Sequence, residues 1–91
     1  MSAYAVFLLP SAQRSLRRLP EKVATAVVEF LYGALAANPH RAGKALSLDY
    51  AGLHSARRGD YRVIYEIVTD PRRVEVLVIE HRADVYRSRR S

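Results

Sequence analysis

The sequence predicts an α+β domain with the element order β-α-α-β-β-β, in which an N-terminal helical hairpin packs on a mainly antiparallel four-stranded sheet. Three observations carry this prediction: a β-rich N-terminal run, two amphipathic helical patterns separated by a proline, and three β-rich runs joined by short turns. Short turns favour antiparallel pairing of consecutive strands. With 91 residues, the chain is expected to form one domain, residues 1–91, with one modest core.

The first half of the chain carries the first strand and both helices. Residues 4–9 are apolar at both alternating sets of positions, which predicts a strand covered on both faces. Ser11 is the N-cap candidate of the first helix, and Pro20 ends that helix. The second helix begins at Glu21, has apolar residues at spacings of three and four, and ends before Asn38-Pro39.

The second half of the chain carries the remaining strands. Residues 40–52 show no sustained periodicity and predict a loop. Gly59-Asp60 and the segment Thr69-Asp70-Pro71 supply the two tight turns between strands. The three predicted strands are residues 53–58, 61–68 and 74–80. Residues 82–91 are expected to form a basic tail.

Composition and charge restrict the possible functions. The formal net charge of +6 and the pI near 10.2 favour binding to a polyanion or to an acidic protein partner. The chain contains no cysteine, which excludes disulfides, thiolate metal sites and a cysteine nucleophile. The N-terminus has neither a basic region before its short apolar run nor an apolar run near 18 residues, so we expect a cytoplasmic protein.

The strand at residues 61–68 carries basic and apolar residues on different faces. One face is apolar or aromatic throughout, whereas the other carries Arg62 and Glu66 among aliphatic residues. A guanidinium on such a strand favours an anionic ligand or partner. Further candidates lie on the neighbouring strand and just past the last strand: Arg57, Arg58, His81, Arg82 and Tyr86.

Several other chemistries are poorly supported by the sequence. His40, His54 and His81 are scattered and share no ligand spacing with an acidic cluster, so we expect no metal site and no cofactor. The chain has no Gly-x-Ser-x-Gly elbow and no glycine-rich phosphate loop. We interpret His40 and His54 as structural or solvent-facing residues.

The arginine, histidine and tyrosine candidates suit metal-free cleavage of a phosphodiester. That reaction needs a base for the attacking 2′-hydroxyl, cations around the developing phosphorane charge, and a proton donor for the leaving oxygen. Arginines clamp and stabilise phosphate, while histidine is the natural proton carrier near neutral pH, which here indicates His81. Tyr86 could orient a base or share in proton transfer. The alternatives are that His81 is a packing residue and that the arginines are simply solvated.

With these features, the chain resembles the RelE toxins of the RelE/ParE superfamily. The resemblance rests on the element order over nearly all 91 residues, on the strand GDYRVIYEI at 59–67, and on the closing HRADVYR at 81–87. It implies the toxin half of a bacterial toxin-antitoxin pair: an RNase that cuts messenger RNA in the ribosomal A site and is silenced by an acidic, RelB-like antitoxin. By motif, it assigns phosphate stabilisation and proton transfer to Arg57, Arg62, Arg82 and Tyr86.

We therefore take five residues as catalytic candidates and three as RNA-binding candidates. The catalytic set is Arg57, Arg62, His81, Arg82 and Tyr86, and the RNA-binding set is Lys44, Arg58 and Arg87. Which residue is the general base and which the general acid is left open, and Lys44 could equally be a surface charge.

The sequence departs from the resemblance at one place and leaves alternative functions open. Many relatives carry a second basic residue two positions before the one matched by Arg57, and here that position is Ser55. Arg58 is next in sequence, but alternation should point it to the opposite face. The ParE branch shares the scaffold and inhibits DNA gyrase without enzymatic activity, and a basic RNA-binding module is a third possibility.

Overall fold

A computed structural model describes residues 3–82 of the chain, and these form one layer of helices on one sheet. The elements in chain order are β1 (Ala5–Leu8), α1 (Pro10–Arg18), α2 (Glu21–Phe30), a π-helical turn (Leu31–Leu35), α3 (Pro39–Ala42), β2 (Lys44–Ala45), a 3-10 turn (Leu48–Tyr50), β3 (His54–Arg58), β4 (Tyr61–Thr69) and β5 (Arg72–His81). The α+β class and the order of the predicted elements are confirmed. Within the described residues, no helix is long and apolar enough to cross a membrane.

The sheet has five strands in the order β1-β5-β4-β3-β2, where four were predicted. β1 pairs in parallel with β5, and the other three pairings are antiparallel. The additional strand, β2, has only two residues, which is too short to produce a periodic pattern in the sequence. The prediction that residues 40–52 form a loop is also wrong, because this segment contains most of α3 and a 3-10 turn. These elements, like β2, are too short to produce a periodic pattern.

The core lies between the helices and one face of the sheet, as the alternation along β4 predicts. Val63 and Tyr65 are fully buried, and they pack with Val27, Leu31 and Leu35 from α2 and its π-helical turn. Burying a side chain of this size stabilises the fold by about 1.5–3 kcal/mol. The opposite face of the sheet, away from the helices, is called the open face below.

Two local predictions in the first half are wrong. Ser11 is not an N-cap: α1 begins at Pro10, whose missing N–H suits the first helical position, and the Ser11 hydroxyl donates to the Leu77 carbonyl of β5. β1 is not covered on both faces either, since Phe7 is 54% exposed on the open face. The helices cover only one side of this edge strand, and apolar composition alone does not report how many sides are covered.

A β-bulge in β5 determines which of its side chains reach the open face. Val74 and Val76 are fully buried, but the next core residue is Ile79, so the alternation shifts by one position near Leu77. The register changes between Tyr65, which pairs with Val76, and Ile64, which pairs with Val78. Such a shift exchanges the faces of all residues that follow it along the strand.

Candidate functional site

Three charged residues form a row across the open face, at the end of the sheet near the β3–β4 turn. The register pairs Arg57 of β3 with Arg62 of β4, and Arg62 in turn pairs with Glu80 of β5. Paired residues of neighbouring strands project to the same side of a sheet, with Cβ atoms about 4.5–5.5 Å apart. Two of the three arginines predicted as catalytic, Arg57 and Arg62, are therefore direct neighbours.

This row contains more positive charge than the fold neutralises. Arg62 Nη1 lies 3.8 Å from Glu80 Oε1, and both side chains are nearly half exposed, at 47% and 42%. An exposed pair with this geometry contributes at most about 1 kcal/mol. The Arg57 guanidinium makes no hydrogen bond or ion pair with any residue between 3 and 82. Like charges directly opposite each other are unfavourable, so the row has the electrostatics of an anion site.

Lys44 and Arg82 extend the positive charge on either side of this row. Lys44 of β2 pairs with Ser55 of β3, which places it on the same face as Arg57, two residues further along β3. Arg82 directly follows β5, and its backbone N–H donates to the Asp60 carbonyl at 2.9 Å. Its Nη1 atom lies 3.9 Å from Asp60 Oδ1, at the β3–β4 turn.

Arg58 does not lie with these residues. It pairs with Tyr61, so it projects to the helix side of the sheet, as its alternate position predicts. Its guanidinium stacks over the Phe30 ring at 4.7 Å and donates to the Ala42 carbonyl at 2.9 Å. These contacts join β3 to α2 and α3, and the structure therefore places this predicted RNA-binding residue away from the open face.

His81 is also separated from the arginine row. It is the last residue of β5 and pairs with Tyr61, whose side chain is buried beside Phe30 on the helix side. The bulge near Leu77 explains this position, because uninterrupted alternation from Val76 would have placed His81 on the open face. The geometry does not support His81 as a proton carrier at the row.

Glu80 is an acid-base candidate that was not predicted from the sequence. The same bulge brings its carboxylate next to Arg62, whereas uninterrupted alternation would have buried it. Its only sequence signal was a charged residue near the end of an apolar strand. Tyr86 and Arg87 lie outside the described residues.

His40 and His54 belong to an aromatic cluster on the helix side. The His40 and His54 ring centroids are 6.0 Å apart, and His54 stacks on Tyr65 at 5.6 Å. Burial, with a smaller contribution from the charge of His40, lowers the pKa of His54. Burial raises the pKa of Tyr65 to about 12, and its hydroxyl donates to the Pro39 carbonyl at 2.7 Å. This cluster fixes α3 on the sheet, in agreement with a structural role for both histidines.

Comparisons with known proteins agree with this architecture. Residues 6–86 match the family model described as ParE toxin of type II toxin-antitoxin system, parDE. Toxin RelE of Mycobacterium tuberculosis is 55% identical over 84 residues, which cover 92% of this chain and 87% of that protein. Toxin RelG of the same organism is 45% identical over 84 residues, covering 92% and 97%.

The fold agrees with a solved structure as well. The crystal structure of the toxin-antitoxin complex RelBE2 from Mycobacterium tuberculosis matches with a TM-score of 0.88 and 43% sequence identity. The match covers 91% of this chain and 95% of the matched chain. The chain therefore belongs to the RelE/ParE superfamily of type II toxin-antitoxin toxins, as a RelE toxin.

Proposed function

We propose that this toxin is a metal-independent endoribonuclease that cuts messenger RNA on the ribosome and so inhibits translation in the cytoplasm. The observation that carries the proposal is the direct pairing of Arg57 with Arg62 on the open face. This strand pair places two guanidinium groups side by side, and within residues 3–82 the row has one weak carboxylate contact, from Glu80 to Arg62. Such an arrangement is suited to an anionic ligand.

The reaction we propose is attack of an RNA 2′-oxygen on the adjacent phosphorus. The new O–P bond forms while the bond to the 5′-oxygen breaks, giving a 2′,3′-cyclic phosphate and a 5′-hydroxyl. One proton leaves the 2′-hydroxyl and one is delivered to the 5′-oxygen. Arg57 and Arg62 stabilise the extra negative charge on the phosphorane oxygens, a role for which each donor contributes roughly 10²- to 10³-fold in rate.

Proton transfer requires groups beyond the two arginines. Glu80 forms an ion pair with Arg62 and is a candidate base. Tyr86 is among the residues to which the family resemblance assigns phosphate stabilisation and proton transfer. Arg82 lies beside the β3–β4 turn, where it can bind a phosphate oxygen. We do not include His81 among these proton-transfer groups, because its pairing with Tyr61 directs the imidazole to the helix side of the sheet.

Dependence on the ribosome follows from the shape of the open face. Within residues 3–82, Arg57, Arg62 and Glu80 lie on an exposed or partly exposed strand surface rather than in an enclosed cleft. Such a surface supplies charge but little orientation, and orientation can contribute roughly 7–11 kcal/mol to a barrier. The ribosome would provide it by holding the messenger RNA in a fixed geometry.

The proposal includes an acidic antitoxin as the partner that silences the enzyme. The RelBE2 relative was solved as a toxin-antitoxin complex, and the net charge of +6 favours an acidic partner here. We expect fast, salt-sensitive association, with apolar contacts that hold the complex at high salt. A salt-independent on-rate, or dissociation of the complex in moderate salt, would contradict these separate roles of charge in association and of apolar contacts in holding the complex.

A second function, inhibition of DNA gyrase, deserves a test because the matching family model is that of ParE toxins. Purified protein is incubated with programmed ribosomes and, separately, with gyrase and supercoilable plasmid. We expect messenger RNA cleavage, little cleavage of naked transcript, and normal supercoiling. Loss of supercoiling with intact messenger RNA would favour the ParE function instead.

A further inference from the structure

We infer that Lys44 binds the phosphate adjacent to the one held by Arg57 and Arg62, so that the substrate backbone runs across β4, β3 and β2 rather than along one strand. This inference rests on the proposed function and specifies how its substrate lies. It treats the open face as a two-phosphate site for single-stranded RNA.

The register supplies the spacing between the two positions. Lys44 pairs with Ser55, and Arg57 is two residues along β3 from Ser55. Lys44 and Arg57 are therefore diagonal cross-strand neighbours, for which the typical separation is about 7–8 Å. Flexible lysine and arginine side chains at that separation can hold successive phosphates of an extended strand, with the small Ser55 side chain leaving space between them.

The position of Lys44 is fixed by contacts on the helix side. The Tyr65 hydroxyl binds the carbonyl at the start of α3, and Arg58 binds the Ala42 carbonyl at its end. Gly43 then passes so close to β3 that an added Cβ would lie 2.5 Å from Tyr65 Oη and 2.6 Å from the Ser55 carbonyl oxygen. Two residues of strand are thus held in register although they are too few to be stable alone.

The charge of Lys44 is also available to a ligand. Its side chain is exposed and makes no ion pair or hydrogen bond with any part of the chain that the structure describes. Lys44 is held in place, and neither it nor the adjacent Arg57 has a charged partner among residues 3–82, so the pair is suited to a second phosphate.

The test measures binding of two 2′-O-methyl trinucleotides of the same sequence, one with two phosphates and one with a neutral methylphosphonate at the second linkage. The proteins are wild type, Lys44→Gln, and Arg41→Gln as the matched control. Arg41 is also exposed and basic but lies on α3. We expect wild type and Arg41→Gln to prefer the two-phosphate ligand several-fold.

In Lys44→Gln this preference should disappear, and the slope of log affinity against log salt should fall by about 0.7 for the lost phosphate contact. A preference that survives in Lys44→Gln, or that wild type never shows, overturns the inference while leaving the proposed function intact. If wild type binds neither ligand at low salt, the open face is not a phosphate site, and both proposals fail.

Discussion

Replacing Arg57 with glutamine should stabilise the fold while impairing the function. The change keeps a polar, hydrogen-bonding side chain, although a shorter one, and removes the charge directly opposite Arg62. Cross-strand charge pairs contribute about 0.2–1 kcal/mol, so relief of this repulsion should raise the free energy of unfolding by that amount. The ion pair of Arg62 with Glu80 is left in place.

Urea unfolding at low and high salt measures this effect. With a slope of about 1 kcal/mol per M for a small domain, the midpoint should rise by about 0.2–1 M at low salt. The gain should shrink at 1 M salt, where the Debye length is about 3 Å. Added phosphate should stabilise wild type more than the variant, because it binds the paired arginines.

Arg14→Gln is the matched control, since Arg14 is an exposed arginine of α1 away from the row. Its midpoint should not show the salt-dependent gain. If Arg57→Gln has the same or a lower midpoint than wild type at low salt, or if its gain is independent of salt, then the two guanidinium groups do not repel each other and the reasoning is refuted.

Three further predictions concern the contacts that hold α3 and β2. Tyr65→Phe removes the donor to the buried Pro39 carbonyl and should lower the free energy of unfolding by about 1–3 kcal/mol. Because the folded pKa of Tyr65 is about 12 against an ordinary 10.0, stability should fall as pH rises between these values, and urea titrations should show a smaller fall in the variant. The pKa of His54 is lowered from 6.5, so the free energy of unfolding should also fall as pH drops below 6.5. The fall should be smaller in His40→Gln, which lacks the charge of His40, and an unchanged fall in that variant would contradict an interaction between the two histidines. Gly43→Ala should cost about 1–3 kcal/mol in thermal or urea unfolding, and a neutral result would mean that β2 moves away freely.

Much of the fold could be predicted from the sequence, because the long helices and strands show strong hydrophobic periodicity. The alternation at residues 61–68 correctly separated the core face of β4 from the face that carries Arg62. The short elements could not be predicted, since the four residues that form α3 and the two that form β2 are too few to show a period. Their positions depend on tertiary contacts such as those of Tyr65 and Arg58.

The candidate site was predictable only up to the bulge in β5. Arg57 and Arg62 follow from the tight Gly59-Asp60 turn, which sets the register of the β3–β4 hairpin. Nothing local in the sequence marks the irregularity near Leu77, and that single shift moves His81 to the helix side and Glu80 to the open face. A pattern of period two cannot reveal a residue that breaks the period.

The most direct test of the account is mapping of messenger RNA ends on ribosomes after induction of wild type, Arg62→Ala and Arg14→Ala. New ends within translated regions are expected for wild type and Arg14→Ala, whereas Arg62→Ala should fold normally but cut roughly 10²- to 10³-fold more slowly. Cleavage by folded Arg62→Ala at the wild-type rate would contradict the claim that the paired arginines of the open face stabilise the transition state.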